Sequence, residues 1–240
     1  MIKEFNNEPQ AKAIAESLGL IITKYRGIYI VSNSKEELLT NYNLGYYQEE
    51  DIFYDKEMFK ISGMGYLTIS DESIVDASAV EIPYNLRNCA YMFWGCNYLK
   101  IPPNIPTRVR ACPYMFWKCT SLEIPPIIPE GVENCESMFK SCTSLKEAPK
   151  IPESVANCFA MFARCISLVT PPIIPEGVKN CSYMFHECSS LEVPPNIPES
   201  VTMCTGMFAE CISLKEHPHF PENCTTAEAL FNTPFNRKQV

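Results

Sequence analysis

The sequence of 240 residues predicts an α/β repeat solenoid with a small α+β unit in front of it. A Met-Phe pair recurs in steps of 23 residues, six times without insertion or deletion, at positions 92, 115, 138, 161, 184 and 207. Residues 1–82 do not share this period. A repeat of this length is typical of a solenoid, in which each repeat forms one coil of a continuous stack.

Two regions follow from this division. Residues 1–82 form a small acidic α+β unit or cap, and residues 83–240 form a solenoid of six full repeats plus a degenerate C-terminal capping repeat. In the seventh repeat, Ala227 and Pro234 replace the two cysteines, and Cys224 lies outside both cysteine columns. A polar end such as NRKQV is expected where the last coil must cover the core.

The acidic N-terminal unit shows three local patterns. Residues 6–19 have the signals of a helix that ends at a glycine, and residues 20–33 alternate apolar residues around an Arg26-Gly27 turn, which predicts a hairpin. Ser34 and Glu37 have the spacing of a capping box, which predicts a second helix.

Within one repeat, Cys, Met, Phe and Cys stand at positions i, i+3, i+4 and i+7, as in Cys135 to Cys142. This spacing predicts a two-turn helix with one apolar face. Proline columns follow each leucine, so we expect strand pairing only in short stretches around each Leu and Val.

The thirteen cysteines are predicted to be buried thiols that pack the core. No C-x-x-C occurs, and the spacing fits no zinc site, so we expect no metal and no cofactor. Disulfides between matching columns of neighbouring coils, such as Cys112 with Cys135, are the alternative.

Charge argues against several partners. The net charge is −8, of which residues 1–82 carry −7 (7 basic against 14 acidic residues), and no basic stripe exists to hold a nucleic-acid backbone. No apolar run approaches the ~18 residues that span a membrane. The first residues, MIKEFNNEPQ, lack the apolar region of a signal peptide, so a cytoplasmic location is expected.

The pattern N-C-x-x-M-F-x-x-C-x-S-L, followed by x-P-x-I-P, resembles the BspA-like leucine-rich repeats, over roughly residues 83–231. The resemblance implies a recognition solenoid without catalytic activity. Many members of this family are surface or secreted adhesins, and this sequence shows no export signal or anchor.

Recognition is expected at the columns that vary between coils. The first candidate is an aromatic patch formed by Tyr91, Trp94, Tyr114 and Trp117. Its alternative role is as the seat on which the N-terminal unit docks. The second candidate is the acidic and aromatic segment at residues 46–55, with Tyr46, Tyr47, Glu49, Glu50 and Asp51. A column of glutamates after the turn prolines is expected to be solvated.

The sequence therefore predicts a monomeric, non-enzymatic module that binds another protein. One alternative is an intracellular, phage-encoded effector or inhibitor that occludes a host enzyme. The other is an enzyme with its active site in residues 1–82, where no His, nucleophile or glycine-rich loop stands out. His186, His217 and His219 lack the spacing of metal ligands.

Overall fold

The computed structural model describes the strand residues 2–5, 21–25, 28–32, 59–61 and 67–69, and then residues 71–82 and 86–224. The two helices predicted in the N-terminal unit lie outside these residues. So does most of the seventh repeat, including Ala227, Pro234 and the polar end.

Three strands of the N-terminal unit form one antiparallel sheet. These strands are β1 (Ile2–Phe5), β2 (Ile21–Tyr25) and β3 (Ile28–Ser32), in the order β1-β3-β2. Tyr25 lies opposite Ile28, so two residues separate the strands, and the predicted hairpin is confirmed. β1 was not predicted from the sequence.

A second hairpin begins the solenoid. Strand β4 (Phe59–Ile61) pairs antiparallel with β5 (Leu67–Ile69). Ile69 is buried in the same core as the repeats, and its N–H donates to the carbonyl of Met92 at 2.8 Å. Ala77 in the next segment donates to the carbonyl of Ile101 at 2.8 Å. The solenoid core therefore includes Ile69, which precedes the first full repeat.

The predicted core columns are confirmed. The Met, Phe, Cys, Leu and Val columns of the six repeats are all buried and form one continuous cluster. Six phenylalanine rings lie on top of one another through its centre, with centroids 5.5 to 5.8 Å apart between neighbouring coils. Neighbouring coils are thus close to the ~4.8 Å separation of paired strands.

The predicted helix around each Met-Phe pair is wrong. In the third repeat, the N–H of Met138 donates to Cys135 O at 3.1 Å, and that of Cys142 donates to Phe139 O at 3.0 Å. These bonds reach three residues back and close successive tight turns. No α-helix occurs in residues 86–224.

The N–H groups between these bonds point to the next coil. Ser137 donates to Phe159 O at 2.8 Å, and Phe139 donates to Met161 O at 2.9 Å. In a helix over residues 135–142, the N–H of Phe139 would instead donate to Cys135 O within its own segment. A helix is also ~10–12 Å wide with its side chains, which the ring spacing of 5.7 Å between Phe139 and Phe162 does not accommodate.

Alternation between the two kinds of bond requires two residues per coil with a left-handed backbone. One stands before each Met and the other before each second cysteine, for example Ser137 (φ 51°) and Ser141 (φ 62°). A positive φ at the third residue of a turn is the mark of type II turns. Most of these residues carry a Cβ atom, although this conformation costs L-residues ~1–2 kcal/mol.

The expected strand pairing is reduced to isolated bridges. Parallel bridges link the column two residues after each Val, as in Asn134 to Asn157, and one links Glu147 to Thr170 after the Leu column. The Asn157 side chain also donates to Asn134 Oδ1 at 3.2 Å. After the Leu column, pairing cannot continue past Thr170 because Pro171 offers no N–H.

Cys204 and Cys224 form a disulfide with their Cα atoms 6.2 Å apart, so the prediction of free thiols is wrong for this pair. The sequence signal was overlooked: Cys224 stands 23 residues after Val201 and therefore occupies the valine column. The bond joins the last full coil to the segment that follows it. The other eleven cysteines are free and buried.

The turn geometry can be tested with two alanines of one coil. Ala160 has a φ of 50°, whereas Ala163 has no positive φ, and both are buried. Glycine at position 160 relieves the strain of the left-handed backbone. This gain offsets the larger conformational entropy that glycine loses on folding and the loss of the buried methyl group. We expect Ala160→Gly to leave the free energy of unfolding within ~0.5 kcal/mol and Ala163→Gly to lower it by ~1 kcal/mol or more.

Chemical denaturation of the two variants beside the parent protein measures this difference. In a helix, both substitutions would lower the free energy of unfolding by a similar amount. Equal destabilisation by the two glycines would therefore contradict the turn structure.

Candidate binding surface

The four predicted aromatic side chains come together on the turn side of the first two coils, and we call them the aromatic ladder (Tyr91, Trp94, Tyr114 and Trp117). The rings of Tyr91 and Tyr114 stack at 4.8 Å with an interplanar angle of 1°. Those of Trp94 and Trp117 stack at 5.8 Å and 21°. Because both pairs stack along the coil-to-coil direction, their ring edges face outwards.

Within each coil the two rings meet at an angle. Tyr91 and Trp94 make an edge contact at 6.3 Å, and Tyr114 and Trp117 a tilted contact at 5.7 Å. Trp94 is 39% exposed, and the other three rings are half-buried. The ladder is therefore a rigid set of four mutually supported rings with polar atoms at the edges.

A carboxylate fixes one edge of the ladder. The Tyr114 hydroxyl donates to Glu136 Oε1 at 2.6 Å. Burial, and then the hydrogen bond and the charge of Glu136, raise the pKa of Tyr114 to about 12. The hydroxyl therefore stays protonated and keeps donating over the physiological range.

Two lysines continue the ladder. Lys118 Nζ lies 5.2 Å from the centroid of the Trp117 ring, and Lys140 Nζ lies 5.8 Å from it. Both distances fall within the range of cation–π attraction. Lys140 occupies the tryptophan column of the third coil, so a cation follows the two stacked indoles.

The second predicted site lies outside the described residues. It comprises Tyr46, Tyr47, Glu49, Glu50 and Asp51 in the segment at 46–55.

A further polar cluster on the same side was missed by sequence reasoning. Arg164 lies 2.9 Å from Glu187, and His186 Nε2 lies 3.0 Å from the same carboxylate oxygen. The Tyr183 ring makes an edge contact with His186 at 5.9 Å. Tyr183 and His186 stand in the same variable columns as the ladder residues, and that position was the available signal.

The free cysteines serve the scaffold. In the second cysteine column, thiols donate to the phenylalanine carbonyl of the preceding coil, as in Cys142 to Phe116 O and Cys165 to Phe139 O, both at 3.1 Å. Burial raises the pKa of Cys165 and Cys181 to about 12. A thiol that is protonated and inaccessible is a poor nucleophile.

Among the described residues, no three His, Cys, Asp or Glu side chains converge as metal ligands would. The described residues also include no helix of sufficient length and apolarity to span a bilayer.

The repeats identify the family. The sequence profile of the BspA type leucine-rich repeat region matches residues 72–158 and 113–233, in six copies. The chain belongs to the BspA-type leucine-rich repeat family. A search of curated protein sequences gives no match.

One solved structure supports a leucine-rich repeat fold. A leucine-rich repeat protein from Bacteroides ovatus is 22% identical, with a TM-score of 0.52 over 72% of this chain and 54% of that one. The chain thus spans about half the length of that protein. A leucine-rich repeat protein from T. pallidum is 19% identical, with a TM-score of 0.48 over 76% of this chain and 98% of that one.

Because its thiols are buried, this BspA-type solenoid is expected to lose stability at alkaline pH. Burial raises the pKa of these thiols in the folded state, so the unfolded chain releases their protons first as the pH rises above ~9. Stability is then present below pH ~9 and lost above it, by up to ~1.4 kcal/mol per pH unit for each such thiol.

Urea denaturation in the presence of a reductant, repeated from pH 8 to pH 10, measures this slope. A double variant, Cys165→Val with Cys188→Val, should show a shallower decline than the parent. A free energy of unfolding that stays constant up to pH 10 would show that the thiols are not buried.

Proposed function

We propose that this protein is a non-enzymatic interaction module that binds another protein through the aromatic ladder. The observation that carries the proposal is the placement of four ordered aromatic rings in two columns whose residue type varies between coils. The same two columns hold Ser137 and Lys140 in the third coil and Ala160 and Ala163 in the fourth. Tyrosine and tryptophan are the residues that most often dominate the energy of protein interfaces.

The geometry of the ladder suits a partner that presents acceptors and carboxylates. The stacked ring faces cover one another, so a partner meets the edges, where the two indoles carry N–H groups. Lys118 and Lys140 add positive charge beside Trp117. Because the rings are held in place before binding, little side-chain entropy is lost on association.

An enzymatic function has less support within residues 86–224. The free thiols there are buried, and burial raises the pKa of the thiols for which a shift is resolved. A finer version of the proposal is an effector or inhibitor that acts by covering a site on its target. A rigid solenoid is suited to that mechanism because it presents a large surface without rearrangement.

The test is the double variant Trp94→Ala with Trp117→Ala, compared with Tyr183→Ala as a control. Tyr183 is also an exposed aromatic residue of the tyrosine column, but it lies outside the ladder. We expect the double variant to lose partner capture, because each interface anchor is worth ~2 kcal/mol or more. Loss of ring stacking should cost only ~0.5–1.5 kcal/mol of stability.

Affinity capture from a native lysate with mass spectrometry, a thermal melt and limited proteolysis separate the outcomes. If the ladder is the seat of the N-terminal unit, the double variant melts earlier and residues 1–82 become sensitive to protease while capture by the solenoid persists. Undiminished capture by the double variant would refute the ladder as the binding site.

A further inference from the structure

A second variable surface lies at the proline corner, between each Leu and the glutamate that follows the turn proline. We call it the corner face. Its most exposed apolar residues are Ile127 and Ile173, each 88% exposed, and Ile124, which is 67% exposed. Trp94 on the ladder is only 39% exposed. Ile124 and Ile127 belong to one coil, and Ile173 lies two coils further along the stack, with Lys150 in the column between Ile127 and Ile173.

The fold does not require isoleucine at these positions. Ile127 and Ile173 share their column with Asn104, Lys150 and Asn196 in the other coils. The neighbouring isoleucine column points inwards and is buried, as at Ile128 and Ile174. A polar residue thus fits the outward column equally well, so core packing does not account for the two exposed isoleucines.

The charge around these isoleucines is strongly acidic. The flanking columns of the corner face hold nine exposed glutamates against four exposed lysines: Glu123, Glu130, Glu147, Glu153, Glu176, Glu192, Glu199, Glu216 and Glu222, with Lys100, Lys146, Lys150 and Lys215. Two of the lysines are already paired within the face. Lys150 lies 3.4 Å from Glu130, and Lys215 pairs with Glu192.

We propose that the corner face binds a basic segment of a partner protein that carries aliphatic side chains between its lysines or arginines. The aliphatic groups pack on Ile124, Ile127 and Ile173, and the cations pair with the glutamate column. The inference rests on the proposed function, since it assigns a second surface to the same interaction module.

Charge decides between the possible occupants. An anionic membrane surface and a nucleic-acid backbone are both repelled by the glutamates. A second copy of this chain meeting the same face would bring two acidic columns together. A basic and apolar protein segment complements both properties of the face, and the acidic column steers its approach.

The test uses three synthetic 14-residue peptides, measured by fluorescence anisotropy at physiological salt. One alternates lysines with leucines in an amphipathic pattern, the second replaces each leucine by serine, and the third replaces each lysine by glutamate. The protein variants are Ile127→Asn with Ile173→Asn, which borrow the residue of the same column at Asn104 and Asn196. The ladder variant Trp94→Ala with Trp117→Ala is the control.

The Lys/Leu peptide should bind at least tenfold tighter than either of the other two. The double isoleucine variant should lose at least tenfold in affinity for it without a change in melting temperature, and the ladder variant should bind like the parent protein. Equal binding of the Lys/Ser peptide, or unchanged affinity of the isoleucine variant, would overturn the inference.

The two proposals fail separately in this design. If the Lys/Leu peptide does not bind as expected but partner capture still depends on the ladder, only the corner-face proposal is refuted. If partner capture does not depend on the ladder but the Lys/Leu peptide binds as expected, only the proposal for the ladder is refuted.

Discussion

The whole solenoid depends on one constraint, which is that alternate N–H groups of the turn segment must donate to the next coil. Phe139 donates to Met161, and the pattern repeats along the stack. These hydrogen bonds hold neighbouring coils at nearly the distance that separates paired strands in a sheet. The stacked phenylalanines, the left-handed residues and the thiol-to-carbonyl bonds all follow from this spacing, because each needs its counterpart one coil away.

The same constraint separates scaffold from surface. Columns that face inwards have no freedom, since a change of size in one coil is felt by the coils on either side. Columns that face outwards vary between coils, and several of them hold unusual residues. The aromatic ladder occupies one side of the first two coils, and the exposed isoleucines occupy the proline corner. A single rigid stack thus presents two chemically different surfaces, one rich in aromatic edges and one acidic and aliphatic.

The sequence predicted the columns well and the backbone poorly. The step of 23 residues correctly identified the buried Met, Phe, Leu, Val and Cys positions, because stacking requires the same residue at the same place. The helix failed because the spacing of Cys135, Met138, Phe139 and Cys142 fits a helix and a run of tight turns equally. The residues in the left-handed positions are mostly Tyr, Ser, Lys and Glu, which give no turn signal. Only Gly95 and Gly206, one in each of the two columns, indicated a positive φ.

Part of the candidate surface could also be predicted from the sequence. Tyr91, Trp94, Tyr114 and Trp117 could be grouped because variable columns one coil apart must be neighbours. Their face-to-face stacking could not be predicted, since it depends on the turn geometry that the helix prediction missed. The exposed isoleucines were overlooked because Ile127 and the buried Ile128 are adjacent, and only the structure separates the outward residue from the inward one.

Nuclear magnetic resonance couplings across hydrogen bonds test the central claim most directly. In a deuterated sample, the account predicts a coupling from the amide nitrogen of Phe139 to the carbonyl carbon of Met161, and one from Ser137 to Phe159. A coupling from Phe139 to Cys135 instead, four residues back in the same coil, would mean that the segment is a helix and would contradict the account.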